Sequence, residues 1–348
     1  MLTDTNDLPA TSVDFATKWA DVLRGCAYGD AWANTNEFKP YSMLTIDSAY
    51  GPDLPKKLII TDDTQMTLAL ARAIDTAGTE HPDVLREHII EEFVTWRSDP
   101  DNNRAPGNTC LSATAALARG IDWTGATVVR SDGCGTVMRT SPAAFLPDHL
   151  WRPVAAWQAA ATHGKATGIA AALVTAAVIR HAAQGIIQPG QALGYAVDLC
   201  AQPQLRHGVA PWLAGHPRAR TAGAADAFLK DGLDEVASVL RRAHEAVTAF
   251  QWEPWAEDPC SYGGAGWRAQ EALATALLCV DSIPEDPVFA LRRATVTGGD
   301  SDSIAAVAGA VLGALHDDPW PSQWAQRLEP RYRDWIAAAE NYRLSPAA

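Results

Sequence analysis

Apolar residues recur three and four positions apart along most of this chain, the spacing that gathers them on one face of an α-helix. The pattern predicts helices over Phe15 to Trp32, Thr64 to Thr76, Pro82 to Trp96, Leu111 to Arg119, Ala166 to His181, Ala222 to Ala249, Trp267 to Val280 and Ile304 to Leu315. Strand patterning is scarce. Only Lys57 to Ile60 and Thr127 to Val129 suggest strands, and neither has a partner across a two-residue turn. The expected fold class is all-α. Small residues crowd the inward faces, as in AAALVTAAVI and AAVAGAVLGAL, so helix axes can approach closely in a compact multi-helix orthogonal bundle. No internal repeat is evident.

One stretch breaks the pattern. Gln202 to Thr221 intersperses Pro, His, Arg and Gly, and reads as a long surface excursion within one domain or as a linker between two helical halves. The single-domain reading over 1–348 is preferred because chemical motifs on both sides need each other. The most apolar segment, Gly168 to Ile179, is too short to span a bilayer. The N-terminal residues are acidic and polar where a secretory signal needs a basic start and an apolar stretch. A soluble, cytoplasmic protein with no membrane partner is expected.

Composition narrows the partners. With 47% hydrophobic and 20% charged residues over 348 positions, the chain can bury a full core. Its 41 acidic and 28 basic side chains leave a net charge of −13, which argues against nucleic acid as the main partner and favours a cation. The six cysteines form no Cys-x-x-Cys pair, so reduced and mostly buried thiols are expected rather than a zinc ribbon or a disulfide scaffold. The thirteen tryptophans are expected in the core or lining a pocket.

Two acidic clusters stand at predicted helix starts. Thr61-Asp62-Asp63-Thr64 follows Leu58-Ile59-Ile60, and Gly298-Gly299-Asp300-Ser301-Asp302-Ser303 precedes Ile304 to Leu315. Each alone reads as a helix cap, because Thr and Asp satisfy orphan N–H groups and oppose the helix dipole there. Their repetition suggests more. Four carboxylates with hydroxyls form an oxygen-rich cage, which selects hard ions such as Mg²⁺ or Mn²⁺ and carries enough charge for two. Glu-x-x-His, the bridging motif of di-iron bundles, is absent from the chain, so hydrolytic chemistry is favoured over redox.

Three further segments carry weaker signals. Gly25-Cys26-Ala27-Tyr28-Gly29-Asp30 has glycines four apart, consistent with close helix packing, and is followed by Asn36-Glu37-Phe38 in a polar loop from which Glu37 could reach a site. Ser131-Asp132-Gly133-Cys134-Gly135-Thr136-Val137-Met138-Arg139 is a glycine-rich turn running into a helix, able to offer N–H groups to a phosphate or to be a plain junction. Gly264-Ala265-Gly266 imitates a dinucleotide fingerprint but follows no strand.

Taken together, GCAYGDAWANTNEF, ITDDTQMTLAL, RAPGNTC, GCGTVMR, THGKATGIAAAL and GGDSDSIAAVAGAVLGAL resemble the ADP-ribosylglycohydrolase family, in the family's order, from about residue 16 to 316. Residues 317–348 then form a C-terminal helical extension. The resemblance implies two Mg²⁺ or Mn²⁺ ions held by Thr61, Asp62, Asp63, Asp300, Asp302 and Ser303. It implies that Gly133, Cys134, Gly135, Thr136, Met138 and Arg139 help cradle diphosphate and ribose, and that Tyr262 to Trp267 form the adenine-side wall. Asn108, Thr109 and His163 match pocket positions, His163 also being readable as a core histidine. Glu37 matches an acidic residue that several members carry on a mobile flap near the scissile bond.

The implied reaction is hydrolysis of the bond between ADP-ribose and an arginine guanidinium, through an oxocarbenium-like state. Asp63, Asp302 or Glu37 would take the proton of the attacking water, an aspartate beside the ions being preferred. Asp132-Gly133-Cys134-Gly135 replaces the Asn-containing turn of serine-directed members and favours the arginine-linked class. The expected partners are an arginine-linked ADP-ribosylated protein, ADP-ribose and a cognate ADP-ribosyltransferase. The readings weighed against this are cleavage of a serine, nucleic-acid base or ester linkage of ADP-ribose, a non-catalytic immunity or binding protein, and a structural descendant of the fold.

Overall fold

Every helix expected from the apolar spacing is present, and others lie between them. The computed structural model describes residues 15–78, 81–249 and 253–344. The polar N-terminus and the last four residues of the C-terminal extension lie outside the described residues. In chain order the helices are α1 (Phe15–Ala33), α2 (Tyr41–Leu44), α3 (Asp62–Ala77), α4 (Pro82–Arg97), α5 (Asn108–Ala118), α6 (Trp123–Ala126), α7 (Trp151–Ala160) and α8 (Ala166–Ala183). They continue with α9 (Ala192–Cys200), α10 (Ala222–Ala249), α11 (Cys260–Gly263), α12 (Ala269–Ser282), α13 (Pro287–Thr295), α14 (Ser301–Leu315) and α15 (Pro330–Ala339).

The two strand candidates form no sheet among the described residues. Leu58 and Val128 each make one isolated parallel bridge, to Leu328 and His163 respectively. Helix α7 escapes the periodicity test because it has no polar face: every residue from Trp151 to Ala160 except Arg152 is buried. Helix α13 opens with Pro287 after an Asp286 cap that accepts from the Phe289 amide at 2.9 Å. Helix α12 begins two residues later than the apolar pattern suggested, because Gly266 at φ 85° turns the chain and the Trp267 carbonyl is taken by the Cys134 amide.

A single contiguous apolar cluster runs from Trp19 to Leu344. Helix α8 lies inside it. At 18 residues it is long and apolar enough to cross a membrane on length alone, longer than Gly168 to Ile179 implied, yet 89% of it is buried within the molecule. The stretch from 202 to 221 runs over the surface, with Gln204, His207, Pro211, Ala214 and Arg218 exposed, and is anchored by buried Leu205, Val209, Trp212, Leu213, His216 and Ala219. The tryptophans follow expectation, with Trp19, Trp96, Trp151, Trp157, Trp212, Trp320 and Trp324 among the buried set and Trp267 exposed. All six cysteines are free thiols, four of them buried.

The packing that positions the chemistry is that of α1 on α14, the most extensive helix pair in the molecule. Gly25 and Gly29 on α1 face Gly309 and Ala305 on α14, each glycine Cα resting against the other helix's backbone carbonyls. A β-carbon at either position would collide with that backbone, so the two helices can lie this close only because these positions carry none.

Candidate active site

The two acidic clusters, separated by more than two hundred residues, meet at the N-termini of α3 and α14. Asp62 and Asp63 form the first turn of α3, and Asp300 to Ser303 open α14. The capping explanation holds for Thr61, whose Oγ1 accepts from the Asp63 amide at 3.4 Å. It does not hold for Asp300, which occupies the N-cap position without capping through its side chain. The loop carrying Asp300 is pinned from outside: its amide donates to the Ala265 carbonyl at 2.8 Å, and the Gly298 amide donates to Asp258 Oδ2 at 3.1 Å. The Gly264-Ala265-Gly266 segment is thus a brace for this loop.

Asp30 was not singled out from the sequence, yet it organises one half of the cluster. It extends from α1 one residue after Gly29 and is fully buried. Its carboxylate accepts from the Thr61 amide at 2.9 Å, Thr61 Oγ1 at 2.8 Å, the Thr64 amide at 3.1 Å and the Thr64 hydroxyl. One carboxylate from another helix therefore supplies the N-terminal cap of α3 and aims Asp62 and Asp63. The available signal was a carboxylate directly after a packing glycine in an apolar helix.

Asp302 is the electrostatic centre. Burial pushes the carboxyls of Asp30, Asp62, Asp63 and Asp300 above their ordinary range, and for each the next largest cause is the charge of Asp302. Asp30 rises to about 7. Glu37 rises to about 8 by the same two causes, with further repulsion from Asp62 and Asp30. A side-chain hydrogen bond between the two carboxyls raises Asp300 further and offsets part of the rise that burial gives Asp302, whose Oδ1 accepts from the Ser303 amide at 3.0 Å. Oxygens of Glu37, Asp300 and Asp302 lie within 4.8 Å of one another.

This donor set fits a hard divalent cation. Asp63 Oδ1 is buried with no hydrogen-bond partner, an orphaned carboxyl oxygen among other carboxyls, which a cation would satisfy. Thr61, Asp62, Asp63, Asp300, Asp302 and Ser303 offer only oxygen, while the partly buried Cys134 thiol, hydrogen-bonded to Asp300 and Ser303, is the soft neighbour.

The remaining expected residues divide into two groups. Gly107, next to Asn108, donates to Asp62 Oδ2 at 3.4 Å, and Thr109 Oγ1 lies 2.9 Å from Ser131 Oγ, so the start of α5 lies along the cluster with Asn108 exposed. Met138 Sδ lies 3.9 Å from Ser303 Oγ. Gly133 and Gly135 cover the imidazole of His163: a β-carbon on Gly135 would sit 2.8 Å from Cys110 Sγ and 3.0 Å from His163 Cε1. His163 is buried, its Nδ1 is 2.7 Å from Thr162 Oγ1, and burial holds it neutral. It is a core histidine beneath the glycine-rich turn.

The glycine-rich turn does not run into a helix. It forms one 3-10 turn, Cys134–Thr136, and the Cys134 and Val137 amides are taken by the Trp267 and Cys134 carbonyls. Thr136 is fully buried and its hydroxyl donates to the Gly133 carbonyl. Arg139 is also enclosed: its guanidinium donates to Gln158 Oε1 at 2.7 Å, the Gln158 carbonyl at 2.9 Å and Thr162 Oγ1 at 2.7 Å, and lies over Phe93. Thr136 and Arg139 therefore support the turn from behind and do not face a ligand. Tyr262 is half-buried, its hydroxyl 2.5 Å from Glu257, and Trp267 stacks on Phe38.

Paired acidic helix starts in an all-helical bundle define a helical protein with a buried carboxylate centre, and comparisons with known proteins give its family. The model of the ADP-ribosylglycohydrolase family matches residues 11–347, and the chain belongs to that family. It is 28% identical over 315 residues to the uncharacterized protein YegU of Escherichia coli K12, covering 85% of this chain and 86% of that one. It is 24% identical over 334 residues to the ADP-ribosylarginine hydrolase Tri1 of Serratia proteamaculans, covering 93% and 79%. A solved structure described as an ADP-ribosylglycohydrolase-related protein complex shares the fold with a TM-score of 0.62 at 22% identity, over 94% of this chain and 98% of that one.

Proposed function

We propose that this glycohydrolase cleaves the N-glycosidic bond between ADP-ribose and an arginine side chain, releasing ADP-ribose, with two Mg²⁺ or Mn²⁺ ions held by Thr61, Asp62, Asp63, Asp300, Asp302 and Ser303. The observation that carries the reading is the convergence of acidic residues from α1, α3 and α14 on Asp302, with Asp63 Oδ1 left without a partner. The relation to an ADP-ribosylarginine hydrolase supports the linkage. Asp132 supports it less directly, because its carboxylate is occupied by Lys165 at 2.9 Å and Arg268 at 2.7 Å and serves to hold the glycine turn.

When bound, the ions supply charge neutralisation and Lewis acidity to a site of this kind. The chain's own residues do the rest. An aspartate of the cluster, Asp63 or Asp302, takes the proton of the attacking water through a carboxylate oxygen that no ion engages. Glu37 is the half-buried carboxylate of the group and stands on a loop beside Asp300 and Asp302, placed to exchange a proton with the leaving nitrogen. In this reading Met138, 3.9 Å from Ser303 Oγ, and the Gly133 to Gly135 turn flank the substrate, an ADP-ribosylated protein within the cytoplasm.

Incubation with arginine-, serine- and base-linked ADP-ribose, with Mg²⁺ or with EDTA, tests the reading. Release from the arginine adduct alone, abolished by EDTA, is expected. Release from the serine or base adduct in its place would reassign the linkage, and release from none of them would remove the hydrolase reading.

A further inference from the structure

The loop that carries Glu37 is fastened on both sides of that residue. Asn36, 1% exposed, donates from Nδ2 to the Thr295 carbonyl at 2.7 Å, at the end of α13. Phe38 stands on the other side with φ 63°, a backbone region that a bulky side chain adopts only when its surroundings hold it there. What holds it is Trp267. The two rings stack with centroids 5.4 Å apart and planes 20° from parallel, although Phe38 is 70% exposed and Trp267 43% exposed.

Trp267 is tied to the glycine-rich turn. Its carbonyl accepts from the Cys134 amide at 3.1 Å, and the adjacent Arg268 is ion-paired to Asp132 at 2.7 Å. The stack thus joins the Glu37 loop to the glycine-rich turn, one residue from the carboxylate that lies within 4.8 Å of Asp300 and Asp302. An exposed aromatic pair at such a place contributes little to the core, and its geometric consequence falls on the residue between the two anchors.

We propose that Phe38 is a positioning residue: stacked on Trp267, it holds Glu37 beside Asp300 and Asp302, with Asn36 as the fixed side of the clasp. The mechanical part stands on the geometry alone, and its effect on turnover rests on the function proposed above. Phe38 acts through Glu37 and through the backbone it fixes. Its ring is the required feature, so tyrosine replaces it and alanine does not; glycine, which tolerates the positive φ, fails like alanine because the stack is lost.

Hydrogen exchange on the full chain in EDTA tests the clasp without activity or metal. In Trp267→Ala, more than two hundred residues away in sequence, amides of residues 34–39 are expected to exchange at least about threefold faster than in the unsubstituted chain while those of α8 are unchanged; Trp267→Phe retains the slow rate. Unchanged exchange over 34–39 in Trp267→Ala overturns the clasp. In the activity arm, Phe38→Ala and Phe38→Gly lower kcat on the arginine adduct about tenfold with little change in KM, and Phe38→Tyr stays within about twofold. Phe38→Ala turning over within about twofold of the unsubstituted enzyme overturns the positioning role. Faster exchange in a chain that hydrolyses no adduct leaves the clasp standing and removes the proposed function instead.

Discussion

At the scale of single residues, Asp30 shows how a buried charge can be structural and chemical at once. Replacing it with alanine leaves the amides of Thr61 and Thr64 unpaired inside the protein, at a cost of about 2 to 4 kcal/mol. Urea unfolding of Asp30→Ala should show that loss, and the thermal response to Mg²⁺ should shrink with it because Asp62 and Asp63 are no longer aimed. The raised carboxyls make a pH prediction. Asp30, at about 7 in the fold, and Glu37, at about 8, bind more protons folded than unfolded between their ordinary values near pH 4 and those raised ones. Their contribution is fully present below pH 4 and is lost as pH rises through 7 to 8. In EDTA the melting temperature should therefore fall between pH 5 and pH 8. Mg²⁺ binds the ionised forms, so the increase it produces should grow with pH; a flat profile in both conditions would speak against the cluster.

At the scale of elements, the site depends on two helix N-termini and on the glycine contact that sets their separation. Gly25→Ala drives a methyl group into the backbone of α14 and should destabilise the protein by about 3 kcal/mol, with cation affinity falling although the position touches no carboxylate. Thermal melts with and without Mn²⁺ measure both effects. Much of this level was legible in the sequence. Thr61 to Thr64 and Gly298 to Ser303 announce themselves because polar runs abut strongly apolar helices, and Gly25 and Gly29 recur at one helical turn. Helix α7 was not legible, because a segment buried on all sides has no period to detect. The family resemblance implies a ligand-side role for Arg139 and Thr136, but it carries adjacency along the chain and not which side of a turn a side chain takes, and both are enclosed. Asp30 was missed for a related reason, its partners being thirty-one and thirty-four residues away.

At the scale of the whole molecule, a chain of net charge −13 concentrates repulsion at one point, where α1, α3 and α14 deliver their acids around Asp302. The apolar bundle holds these groups together against that repulsion, and family membership gives the arrangement a reaction class. The brace from Gly264 to Gly266, the Asp132 ion pairs and the buried anchors of the 202 to 221 segment all serve to keep distant parts of the chain in register. The most direct test of the account is the number of Mn²⁺ ions bound per chain, measured by calorimetric titration of the unsubstituted protein and of Asp302→Asn. Two ions per chain are predicted, with both lost or severely weakened in Asp302→Asn; no binding, or the same binding in both proteins, would contradict it.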